Sequence, residues 1–167
     1  MPATFTLISS VTVGSGGAAN IEFTSIPATY TDLLIKISAR NTSSGDWLGV
    51  SFNGSTSNFN SRRIFGYVGG VLSLNNANGL DVISNNNSGD TANTFDNAEM
   101  YISNYASSNN KSFSADSVAE NNTSSAYLTL TAGLWSQSAA ITSITLTPNT
   151  NNLAQYSTAY LYGISSS

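Results

Sequence analysis

Any acid or base chemistry in this chain has to run on carboxylates. The sequence has no histidine and no cysteine. That removes the commonest general base, the commonest metal ligand and the Ser-His-Asp type of triad, and it rules out disulfides and thiolate metal sites. Asp116 and Glu120 fall on the same side of a strand-like run. Four residues at ~3.3 Å each set them about 13 Å apart, whereas glycosidase carboxylates stand roughly 5 to 9.5 Å apart. Asp96 and Glu99 point to opposite faces, and a pair formed across neighbouring strands stays open. Asp81, Asp90 and Asp96 offer hard oxygens among many Asn, but the D-x-D-x-D-G spacing of a calcium loop is missing. Asp and Asn are the usual turn residues, so solvated turn carboxylates are the favoured reading. The expectation is a protein without enzymatic activity, metal or cofactor.

Binding has better material. Trp47, Trp135, Tyr127, Tyr156, Tyr160 and Tyr162 suit a stacking platform for sugars or anchors in a protein interface. For Trp135 and Tyr160 a packed interior position is favoured, because such rings are usually highly buried. Trp47 and Trp135 are the candidate glycan contacts. Tyr156, Tyr160 and Tyr162, with Phe5 and Leu7 of the first strand, are the candidate protein-interface residues. Arg62 and Arg63 are the one basic doublet; on a strand they face opposite ways, which makes a poor phosphate clamp and favours an interface salt bridge. Lys111 reads as the tip of a turn.

Charged residues make up 8% of the chain, with Lys+Arg 5 against Asp+Glu 9. A net negative, charge-poor surface argues against nucleic acid, which needs a basic footprint, and against anionic membranes. The polar surface must be built from Ser, Thr and Asn. Hydrophobic residues reach 40% in regular alternation, so the chain is folded and not disordered. No basic leader opens MPATFTLISS and no apolar run approaches the ~20 residues of a membrane span, so cytoplasmic synthesis is expected. The 167 residues read as one domain, 1–167, large enough to bury roughly 70% of its unfolded surface.

The elements that carry these residues are strands. Period-two alternation marks Phe5 to Val13, Ile21 to Phe23, Thr31 to Arg40, Leu48 to Phe52, Arg62 to Val68, Ala98 to Ser103 and Phe113 to Glu120. The first two read as a hairpin. Three further runs fill Ala126 to Ile164 and are expected to pair as a meander. In the first of them, Leu128, Leu130, Ala132 and Leu134 take one side and Tyr127, Thr129, Thr131 and Trp135 the other. In the second, Ile141 is out of phase with Ile144 and Leu146, which predicts a β-bulge near Thr142 and Ser143. The third puts Tyr156, Thr158, Tyr160, Tyr162 and Ile164 on one face. A Gly/Asn-rich excursion, about 69–97, is expected to be displayed outward. The fold class is all-β: an antiparallel two-sheet sandwich, jelly-roll-like, of nine to eleven strands.

Three stretches carry a resemblance: FTSIPATYTDLLIKISAR (Phe23 to Arg40), YISNYASSNNKSFSADSVAENN (Tyr101 to Asn122) and LTAGLWSQSAAITSITLTPNTNNLAQYSTAYLYGI (Leu130 to Ile164). The chain resembles small virion structural proteins of tailed bacteriophages, especially of marine and cyanophage genomes, over most of its length outside the excursion. The resemblance implies a virion component, made in the host cytoplasm. The bottom-up reading then expects a capsid decoration (cement) or head-surface protein that contacts the major capsid protein or other virion proteins. It expects a homo-oligomer, with a trimer favoured. The alternative is a tail-fibre or receptor-binding module that recognises host surface glycan.

Overall fold

The computed structural model describes residues 4–76, 81–122 and 126–165. Twelve strands form among them: β1 (Phe5–Thr12), β2 (Ile21–Phe23), β3 (Asp32–Ser38), β4 (Trp47–Phe52), β5 (Phe59–Tyr67), β6 (Gly70–Asn76), β7 (Ile83–Ser84), β8 (Asn97–Ile102), β9 (Lys111–Ala119), β10 (Tyr127–Trp135), β11 (Ile144–Pro148) and β12 (Thr158–Ile164). They build two antiparallel sheets. The large sheet has eight strands in the order β1-β12-β3-β8-β9-β10-β5-β6, and the small one has four, β2-β11-β4-β7. The all-β, two-sheet antiparallel sandwich expected from the alternation is what the chain forms.

The core lies between the sheets and follows the alternation residue by residue. Leu33, Ile35 and Ile37 of β3, Met100 and Ile102 of β8, and Ala159 and Leu161 of β12 point inward from the large sheet. Leu48, Val50 and Phe52 of β4 and Ile144 and Leu146 of β11 meet them from the small one. Phe52 is the hub of an aromatic cluster, with ring centroids 5.2 Å from Phe59, 5.6 Å from Trp135 and 5.8 Å from Phe113. Edge-to-face pairs of this kind add about 0.5–1.5 kcal/mol each beyond the area they bury. Phe113 lies directly over Gly133, whose missing side chain makes room for the ring.

Several local expectations give way. The last three strands do not form a meander: β10 pairs with β9 and β5, β12 with β1 and β3, and β11 lies in the other sheet between β2 and β4. Segments 136–143 and 149–157 are longer than the two to five residues of a tight hairpin, and they cross the ~10 Å between sheets. The first two strands likewise belong to different sheets and are not a hairpin.

The bulge foreseen near Thr142 and Ser143 is a non-strand segment. The Asn53 side chain pins it: its carbonyl oxygen accepts from the amides of Thr142 (2.8 Å) and Ser143 (3.1 Å), and its Nδ2 donates to the carbonyl of Ala140 (2.8 Å). The phase change at Ile141 is thus absorbed by a loop, with both Ile141 and Ile144 buried. A register shift does occur in β1, between Leu7 and Ser9. It sends Phe5 and Leu7 outward while Ile8 and Val11 pack on the core.

The excursion is only partly outward. Tyr67 to Leu74 stand exposed on the β5–β6 hairpin, but Val82 to Asn87 are buried, and residues 77–80 lie outside the described residues.

Candidate interaction surface

The small sheet covers one face of the large sheet and leaves the other open. Register places the outward residues in rows that run across the strands. Leu7, Tyr162, Leu34 and Tyr101 form one row across β1, β12, β3 and β8. Ser10, Tyr160, Lys36, Glu99, Asp116, Leu130 and Ile64 form the next, across seven strands. Val118, Leu128, Gly66 and Val71 follow in a third.

Two of the sequence-predicted contact sets therefore become one. β1 lies against β12, with Phe5 opposite Ile164 and Leu7 opposite Tyr162. Phe5, Leu34, Lys36, Glu99 and Tyr162 line one shallow depression. Tyr160 is exposed on the same face, against the expectation of a packed interior position. Tyr156 is not part of this strand face. It sits in the turn before β12, 68% exposed, with a left-handed backbone (φ 72°).

In the middle of the face Lys36 pairs with Glu99, both half exposed. Glu99 stands directly opposite Asp116 on β9, which is the cross-strand carboxylate pair left open by the sequence. Both carboxylates lie on the open sheet face, Glu99 at the edge of the shallow depression and engaged by Lys36. Glu120 lies outside β9 and accepts from the Asn122 amide (2.8 Å).

The two tryptophans are not presented for glycan. Trp135 is 2% exposed, inside the Phe52–Phe59–Phe113 cluster, as the inward phase of β10 requires. Trp47 is half-buried. The Arg63 guanidinium lies 3.9 Å from its ring centroid, and Phe65 and Tyr127 pack at 5.5 and 5.8 Å. Arg63 also bonds the Asp81 carbonyl and approaches the Asp81 carboxylate at 3.8 Å. Burial pulls its pKa down and Asp81 opposes that. Arg62 points the other way and is exposed, as the doublet predicts. Lys111 is no turn tip. It is the first residue of β9 and fully buried, and its ammonium donates to the carbonyls of Ser107 (2.8 Å), Asn109 and Gln137 (3.3 Å). Its long stem crosses the rim of the core to reach them.

The three aspartates weighed for calcium are dispersed. Asp81 serves Arg63, Asp90 accepts from the Asn87 amide (2.7 Å), and Asp96 is buried against the Ala39 amide. Among the described residues no group of three or more His, Cys, Asp or Glu could hold a metal. The Asn-rich end of the sandwich holds loops together. Arg40 donates to the carbonyls of Thr91 (3.0 Å), Thr94 (2.8 Å) and Asp90 (3.2 Å). Asn87 donates to Asp46, whose pKa is raised by burial, lowered in part by that bond and raised again by Asp90.

No family model matches the chain, and no curated protein or solved structure matches it.

Leu128, Leu130 and Ile64, three strongly exposed apolar residues of this face, are not singled out by the sequence reading. Alternation in β10 gives two faces without saying which is inside. A signal was present: Tyr127 and Trp135 share the threonine side, and bulky aromatics at both ends of a strand mark its inward face.

Proposed function

We infer that the protein is a structural component of a tailed-phage virion, a decoration protein that covers the capsid shell and grips the major capsid protein through the β1–β12–β3 half of its open sheet. One observation carries the reading: Phe5, Leu7, Leu34, Tyr160 and Tyr162 gather on an uncovered sheet face. A broad, open surface of aliphatic and tyrosine side chains has the composition of an interface centre. The resemblance of three long stretches to small virion proteins supports the same reading. The tail-fibre alternative, in which Trp47 and Trp135 stack on host glycan, is disfavoured because one indole is enclosed in the core and the other is stacked against Arg63, Phe65 and Tyr127.

Quantitative mass spectrometry of purified particles tests it. A copy number comparable to that of the major capsid protein is expected. A copy number far below it, at the level of a tail or vertex component, refutes decoration.

A further inference from the structure

The other half of the open face, on β9, β10 and β5, is built the wrong way round for a surface in water. In β10 the threonines point in and the leucines point out. Thr129 and Thr131 are each 1% exposed, while Leu128 is 64% and Leu130 60% exposed. Ile64, opposite Leu130, is 50% exposed. Val118, opposite Leu128, also stands out. Leu128, Leu130 and Ile64 line a depression with Val71, Gly66 and Asp116.

Two charges flank this apolar centre. Asp116 lies beside Leu130 on β9, and Arg62 lies beside Ala132 on β5. Neither side chain has a hydrogen bond or ion pair among the described residues. The other four cations are all engaged: Lys36 with Glu99, Arg40 with loop carbonyls, Arg63 with Asp81 and Trp47, Lys111 with three carbonyls. Glu99 beside Asp116 is already neutralised by Lys36. Two strand spacings and one residue pair separate the Arg62 and Asp116 backbones by about 12 Å, and the two side chains do not pair within the chain.

A two-fold interface must be complementary to itself. This half-face is complementary in both charge and apolarity. An axis lying in its plane, midway between Arg62 and Asp116, sets each Arg62 over the partner's Asp116 and lays the Leu128–Leu130–Ile64 patches against each other. We propose that a second copy of the chain docks here, sheet face to sheet face, as a two-fold dimer. Three strands at ~4.8 Å by nine residues at ~3.3 Å cover roughly 14 by 30 Å in projection, and the neighbouring β6, which carries Val71, extends the surface toward the ~800 Å² that each partner gives to a standard interface. The surface is separate from the half assigned to capsid binding, so the two readings stand or fall independently.

Sedimentation equilibrium of the purified chain tests the proposal. Wild type is expected at twice the 17.4 kDa chain mass. Arg62→Asp and Asp116→Arg, at exposed positions, are each expected to melt cooperatively like wild type and to dimerise at least about tenfold more weakly. An equimolar mixture of the two variants is expected to restore the dimer, because the reversed charges then face each other. Leu130→Asp is expected to be monomeric and not to be rescued by mixing. A monomeric or trimeric wild type overturns the proposal. So do folded single variants that dimerise as well as wild type, or a mixture of folded variants that stays monomeric.

Discussion

Asp96 shows how a single buried carboxyl sets a pH dependence. One oxygen accepts from the Ala39 amide, while Oδ2 is buried without a partner. Burial raises its pKa well above 3.8, and the Ala39 bond opposes the shift only in part. The unfolded chain releases this proton near its ordinary value and the folded chain keeps it. Stability from this group is therefore complete below pH ~3.8 and is lost as pH rises toward the elevated folded value. Asp96→Asn keeps the shape and an acceptor for Ala39 while removing the ionisation. The variant's melting temperature relative to wild type is expected to climb between pH 4 and pH 7, read by calorimetry at both. A difference that stays constant with pH would show that Asp96 is ionised in the fold. Nothing in the alternation around Asp96 reveals this role: it precedes β8, and Ala39, just after β3, bonds both its side chain and its backbone.

At the scale of the element, β10 is the informative strand. Its two buried threonines differ in one respect. Thr131 Oγ1 donates to the Val82 carbonyl at 2.8 Å, tying β10 to the segment before β7, whereas Thr129 Oγ1 has no partner. Replacing a bonded hydroxyl by methyl loses the bond and leaves a buried acceptor unpaired. Replacing an unbonded one removes a desolvation penalty. Thr131→Val is expected to destabilise by about 1 kcal/mol and Thr129→Val to stabilise by a similar amount, compared by urea denaturation. Equal effects of the same sign would refute the difference. The strand itself and its two-faced character were readable from period two. Its inward side could not be read from Leu against Thr, because a slip of one residue exchanges them, and only the aromatic ends Tyr127 and Trp135 pointed to it. In β1 and the 140–143 segment, likewise, the phase slips were visible as chemistry. Only partner strands and the Asn53 clamp decide where each slip is absorbed.

For the whole molecule, scarcity of charge is the main fact. Two ion pairs occur among the described residues, one of them on the exposed face. Salt screens exposed pairs strongly and apolar contacts hardly at all, and an exposed pair contributes ~0–1 kcal/mol. Thermal unfolding of the Leu130→Asp variant is thus expected to shift by less than about 4 °C between low salt and seawater-like salt. A large drop would show that charge holds the fold together. On the two proposals above, the open eight-stranded face divides by role, with β1, β12 and β3 meeting a capsid partner and β9, β10 and β5 a second copy.

The amino-acid sequence by itself determined that the chain is all-β, that it forms two sheets with unlike faces, where most strands run, and that chemistry resting on histidine or cysteine is absent. These follow from local periodicity and composition, which each short segment carries on its own. The pairing of β1 with β12, the separation of β10, β11 and β12, the enclosure of Lys111, and the exposure of Tyr160 were decided only by the tertiary structure. Each depends on which strand of distant sequence lies alongside. Long-range contacts make that choice, and no window of neighbouring residues contains them.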